Sequence, residues 1–134
     1  MTQTERHPLA YTIGPGLYHG TDSISLQQIV SEGLVPQIFH KERGLILGPI
    51  HALRPDRITW VTEQIRYAQG AAAGRSAHID GAEPVVLQIT GTIIGVDVCD
   101  EGIGGDFGQK IWTEEIITPD RLCVLTDGRW VPIA

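Results

Sequence analysis

Tyr18-His19-Gly20-Thr21-Asp22-Ser23, running on through Ile24 to Gly33-Leu34, is the stretch from which the rest of the chain can be read. A Gly14-Pro15-Gly16 turn precedes it, and Gly16 to His19 has the make-up of a short strand. Asp22 or Ser23 then supplies a helix N-cap, because a short side-chain oxygen can accept one of the first-turn N–H groups that lack a partner inside the helix. Leu26, Ile29 and Val30 recur at helical spacing and predict one apolar face. Gly33 suits the position just past the helix end, with Leu34 as the apolar contact that follows such caps. A histidine, a glycine and a hydroxyl residue at a strand end set an imidazole beside bare backbone. That combination suits a planar amide or a ribose better than it suits packing.

Working outward, Pro36 to Arg57 has poor periodicity and predicts a long irregular loop. Ile58-Thr59-Trp60-Val61-Thr62 is a strand by composition. Thr62 then caps a second helix, with Ile65, Ala68 and Ala72 on one side and a stop at Gly74. Gly70 inside that helix costs about 1 kcal/mol of propensity. Val85 to Thr90, Ile93 to Val98, Lys110 to Thr118 and Arg121 to Thr126 all predict strands. Asp127-Gly128 is a two-residue hairpin turn that returns the chain through Arg129 to Ile133. The glycine-rich stretch from Asp100 to Gln109 has no phosphate-loop lysine and no helix after it, so it predicts a turning loop rather than a nucleotide cradle. Two short helices in the N-terminal half and a strand-rich remainder give an α+β fold with a split, mostly antiparallel sheet.

At 134 residues the expectation is one domain over 1–134, with residues 1–10 as an N-terminal tail. Hydrophobic residues make up 42% and charged residues 19%, a globular rather than a disordered balance. Cys99 and Cys123 show no metal or redox spacing and predict two buried free thiols, with one disulfide as the alternative. No run approaches the roughly 20 apolar residues a spanning helix needs, and the first residues lack the apolar core of a signal peptide, so a cytoplasmic protein is expected. The net charge of −6 argues against general nucleic-acid binding, which rests on neutralising phosphates. Six of the ten basic residues nevertheless lie between Lys41 and Arg75, a segment able to hold a small anionic ligand or simply to form a solvated surface. His40, His51 and His78 have no zinc spacing, and no metal is expected.

The stretch from Tyr18 to Leu34 resembles the first motif of the ADP-ribosyltransferase superfamily, in its His-Tyr-Glu branch. That resemblance implies cleavage of the nicotinamide–ribose bond of NAD as co-substrate. It makes His19 the ligand of a ribose hydroxyl and gives the Gly20 backbone the nicotinamide amide, with Thr21 alongside. The second motif, an aromatic on a strand and another on the next helix, is matched by Trp60 and Tyr67. The family usually has tyrosine on the strand, so either ring is a candidate for stacking on nicotinamide. The third motif is a glutamate on a late strand, and Lys110-Ile111-Trp112-Thr113-Glu114-Glu115-Ile116-Ile117 offers two. In a continuous strand Glu115 shares a face with Thr113 and Ile117, while Glu114 shares one with Trp112 and Ile116. The family's glutamate stands immediately before an apolar run, which favours Glu115.

Chemically, the nicotinamide leaves as a neutral group from a cationic one, so acid catalysis contributes little. The barrier lies in oxocarbenium character on the ribose, which a carboxylate lowers electrostatically. The resemblance thus implies a mono-ADP-ribosyltransferase similar to small bacterial rifamycin-modifying enzymes and toxin-like transferases, with Glu115 and His19 catalytic and an unidentified acceptor. An RNA 2′-phosphotransferase-like activity, NAD hydrolysis, or a catalytically dead nucleotide- or protein-binding relative are the alternatives. Taken singly, each motif also has a plainer account: a turn histidine, core aromatics and a solvated glutamate edge.

Overall fold

A computed structural model describes residues 10–38, 55–97 and 110–134. Residues 1–9 of the expected tail, most of the expected long loop, the glycine-rich stretch, His40, His51 and Cys99 lie outside the described residues, while Ala10, expected in the tail, packs against the Trp60–Trp112 cluster. Within them the chain is α+β: two helices and two antiparallel sheets. The strands are β1 (Tyr11–Ile13), β2 (Leu17–Asp22), β3 (Gln37–Ile38), β4 (Arg57–Val61), β5 (Pro84–Ile89), β6 (Ile93–Asp97), β7 (Ile111–Thr113), β8 (Leu122–Thr126) and β9 (Arg129–Pro132). The helices are α1 (Ser23–Glu32) and α2 (Ile65–Ser76). One sheet runs β1-β6-β7-β4-β3 and the other β2-β5-β8-β9.

The two sheets touch at one isolated bridge between β2 and the end of β4. Tyr18 and Thr62 exchange both backbone hydrogen bonds, at 2.8 and 2.9 Å. A second bridge joins Leu34 to Ile117. Between the sheets lies the main core, in which Leu17, Val61, Leu87, Ile89 and Ile111 are among the fully or nearly fully buried side chains. Because side chains alternate along a strand, the opposite face of each sheet carries its own smaller cluster. Trp60, Trp112, Ile58 and Val96 pack together on one, and Ala68, Ala72 and Val86 join α2 to β2 and β5 on the other.

Local chemistry explains most boundaries. Asp22 is the N-cap of α1, its Oδ1 accepting the Ser25 N–H at 2.7 Å. Gly33 ends that helix at φ +82°, donating its N–H to the Ile29 carbonyl at 2.8 Å, and any side chain there would meet the Ile117 carbonyl. Of the predicted apolar face, Ile29 is buried and Leu26 packs on the core, but Val30 is exposed. Asp127 and Gly128 both have positive φ, at 51° and 75°, as the hairpin turn between β8 and β9 requires.

Several expectations need correction. The strand expected to end at His19 continues as β2 to Asp22. The second helix begins at Ile65, not after Thr62. Thr62 instead pairs with Tyr18 through its backbone and accepts the Gln64 N–H on its hydroxyl at 3.1 Å, so the chain turns before it winds. The helix also continues past Gly74 to Ser76, and Ile65 is exposed rather than packed. Finally, the strand predicted from Lys110 to Thr118 stops at Thr113, because the Thr113 hydroxyl accepts the N–H of Glu115 at 3.0 Å and draws the chain out of the ladder. No helix among the described residues is long and apolar enough to cross a membrane.

Candidate functional site

The layer between the sheets is aliphatic at one end and polar at the other, and the sequence of β2 and β4 shows why. On β2 the inward positions are Leu17, His19 and Thr21; on β4 they are Val61 and Thr59. Leu17 and Val61 belong to the core, both wholly buried. Beyond the Tyr18–Thr62 bridge the aliphatics give way to an imidazole and hydroxyls, and a cavity of about 690 Å³ opens there. That volume falls within the roughly 300–1,000 Å³ of small-molecule sites. His19, Thr21, Thr59 and Trp60 line it from the strands.

One wall is a face of α1. Ser25, Gln28, Ile29 and Glu32 recur at i, i+3, i+4 and i+7 and all border the cavity. The chain after the helix adds Leu34, Val35 and Ile38. Opposite them the end of α2 and the residues after it bring Arg75, His78 and Ile79. The cavity therefore has a polar floor, aliphatic flanks and a cationic side chain at one edge.

His19 is nearly buried, at 5% exposure, and its Nδ1 lies 2.6 Å from the Trp60 carbonyl oxygen. A carbonyl can only accept, so Nδ1 carries the proton; in the neutral ring Nε2 is then the acceptor nitrogen. The bond fixes the ring across the gap between β2 and β4. Asp22 also borders the cavity, but its oxygens serve the helix cap, Oδ1 taking the Ser25 N–H and Oδ2 the Ser25 hydroxyl at 2.9 Å. Thr59 is different. Its Oγ1 is buried and has no hydrogen-bond partner among the described residues.

Of the residues singled out from sequence, the structure brings His19, Thr21 and Trp60 to one cavity. Trp60 contributes differently from expectation. Its ring packs edge-on against Trp112, centroids 6.1 Å apart at 89°, in the cluster behind the sheet, and its carbonyl orients His19. Gly20 faces the other way: a Cβ there would lie 2.0 Å from the Ala68 carbonyl oxygen and 2.7 Å from the Ala72 nitrogen, so this glycine lets α2 settle directly on β2. Tyr67 does not line the cavity. Its hydroxyl accepts from Arg66 Nη2 at 3.2 Å, and the same guanidinium sits 4.9 Å over its ring.

The glutamates are also elsewhere. Glu114 is exposed. Glu115 is half-buried and outside the cavity lining, its Oε2 accepting the Ile94 N–H at 2.8 Å and its Oε1 paired with Arg121 Nη1 at 3.2 Å. Arg121 reaches on to the carbonyls of Thr90 and Thr92, which ties the β5–β6 turn to the segment after β7. The alternation argument that separated Glu114 from Glu115 fails because β7 has ended before either. The Glu115 backbone is linked to the floor through Thr113, which holds its N–H and is the cross-strand partner of Thr59.

Sequence reasoning missed Thr59, Ser25, Gln28, Arg75 and His78. Polar residues at i, i+3 and i+7 on α1 (Ser25, Gln28 and Glu32) were one available signal, and the place of Arg75 in the basic segment was another. Among the described residues no group of three or more His, Cys, Asp or Glu could hold a metal ion. No protein-family model, no curated protein and no solved structure matches this chain.

Proposed function

We propose that this chain binds NAD in the cavity beside His19 and acts as an ADP-ribosyltransferase, cleaving the nicotinamide–ribose bond. The observation that carries the reading is the fixed imidazole: His19, on the strand that runs into a capped helix, is held by the Trp60 carbonyl at the polar floor of a cavity of small-molecule size. An imidazole whose Nδ1 proton is held by a carbonyl is fixed in orientation at the cavity, and imidazole is a group that pairs with a ribose hydroxyl. Thr21 and Thr59 add hydroxyls of the right class for a sugar or a carboxamide, and Arg75 supplies the positive charge that a diphosphate needs. The aliphatic flanks at Ile29, Ile38 and Ile79 suit the face of a planar base. Glu115 is the proposed stabiliser of the oxocarbenium-like ribose, a role that requires its carboxylate to leave Ile94 and Arg121.

A specific observation favours a second reading, an NAD-binding protein that does not turn over. Both oxygens of Glu115 are engaged, by Ile94 and Arg121, away from the cavity. Incubation with NAD, followed chromatographically for free nicotinamide, separates the two, with calorimetry run in parallel. Binding with release supports the transferase or a glycohydrolase using water as acceptor. Binding without release supports the second reading. Absence of binding at millimolar NAD overturns both.

A further inference from the structure

A buried hydroxyl without a partner is uncommon, because leaving one unsatisfied costs about 1–3 kcal/mol. Thr59 carries such a group. The residue is 6% exposed, lines the cavity, and shares the inward face of β4 with Val61 of the core. Its neighbour Trp60 holds the imidazole of His19, so the hydroxyl and the fixed ring belong to the same patch of floor. The hydroxyl of Thr113, directly across the ladder, shows what a satisfied threonine does at this depth: it donates to the Ile94 carbonyl at 2.7 Å and accepts the Glu115 N–H. Thr59 has no equivalent inside the described fold.

Packing alone would favour valine here. Valine has nearly the same shape and equal or better strand preference, and it would remove an unsatisfied polar atom from the floor. A hydroxyl kept at this position is explained by a molecule that enters the cavity and bonds to it.

We propose that Thr59 is a ligand-binding and specificity-determining residue, whose hydroxyl hydrogen-bonds a hydroxyl or carboxamide of the nucleotide seated beside His19. The inference rests on the NAD reading above. A threonine hydroxyl both donates and accepts, so it matches groups of that kind and discriminates against analogues with an apolar atom in the same place.

The test compares wild type with Thr59→Val and Thr59→Ser by calorimetric NAD titration, together with the thermal midpoint of each protein without ligand. Losing one neutral hydrogen bond predicts NAD affinity about three- to tenfold weaker in Thr59→Val. Thr59→Ser keeps the hydroxyl and should bind within about twofold of wild type. Without ligand, Thr59→Val should melt at the same temperature or higher, a result that a structural role for the hydroxyl would not give. Equal NAD affinity in wild type and Thr59→Val overturns the inference and leaves the NAD reading intact. A lower midpoint for ligand-free Thr59→Val also overturns it, since the hydroxyl would then serve the fold. If wild type itself fails to bind NAD, the reading and the inference fall together, and no variant is needed to see it.

Discussion

Replacing Glu115 with glutamine keeps the shape of the side chain and removes its charge, and the surroundings set the size of the effect. The carboxylate accepts from two donors on different oxygens, the Ile94 N–H at 2.8 Å and Arg121 Nη1 at 3.2 Å. Glutamine has one carbonyl oxygen, so its NH₂ must face one of those donors, and one bond is lost. Hydrogen bonds to charged groups contribute about 1.5–3 kcal/mol. Here the pair is 26% and 33% exposed, which moves its value toward the roughly 0.2–1 kcal/mol of surface pairs. A loss of about 1–2 kcal/mol follows, or about 3–10 °C in melting temperature for a chain of this size. Thermal and urea melts of Glu115→Gln should show it, with exposed Glu114→Gln within about 0.5 kcal/mol of wild type. If the two variants melt together, the clamp built on Arg121 has no energetic content. The same protein tests the chemistry. As the stabiliser of a transition state, Glu115 should cost about 10²–10³-fold in nicotinamide release when its charge is removed, with NAD affinity nearly unchanged. Lower stability with unaltered turnover would leave Glu115 a structural residue and refute its catalytic role.

Gly20→Ala drives a methyl to within 2.0 Å of the Ala68 carbonyl oxygen, a backbone atom that cannot swing aside, so it should cost at least about 1–3 kcal/mol and show as a lower urea midpoint. His19→Ala removes the Trp60 contact of a residue that is 5% exposed; calorimetry should find NAD binding lost, and melting should fall by about 1–2 kcal/mol rather than stay unchanged as an open-cleft histidine would allow. Tyr67→Ala should leave NAD affinity within about twofold, because Tyr67 pairs with Arg66 outside the cavity, and a tenfold loss would return it to the site.

Much of the fold was legible because its signals are local. The Asp22 cap, the Gly33 terminus and the Asp127-Gly128 turn each depend on two to four consecutive residues, and each forms where those residues predict. The apolar, β-branched runs around Val85, Ile93 and Leu122 became strands within a residue or two of expectation. Errors gathered where a side chain competes with backbone periodicity. Thr62 looked like a helix cap, but its backbone was taken by Tyr18, 44 positions earlier in the chain, and only its hydroxyl was left to start the turn. Thr113 ended β7 by the same means, and with that the face assignment of Glu114 and Glu115 lost its basis. Tyr11–Ile13 passed unnoticed as a strand, since three residues beside a turn carry too little periodicity to stand out.

The site was legible in its chemistry more than in its geometry. His19 and Thr21 could be chosen from a His-Gly-Thr run expected at a strand end, yet that run lies inside β2 and hid a division of labour between its two faces. His19 and Thr21 turn toward the cavity, while Gly20 between them turns away to admit α2. A glycine that looked like backbone bared for a ligand is needed for helix packing whether or not it also meets one. Trp60 shows the reverse: the ring that drew attention is core, and the carbonyl, which no side-chain pattern encodes, does the orienting. Thr59 could not be found from sequence at all. One threonine in a β-branched strand is ordinary, and it becomes informative only when the fold buries its hydroxyl in a cavity wall beside a fixed imidazole and provides no internal partner.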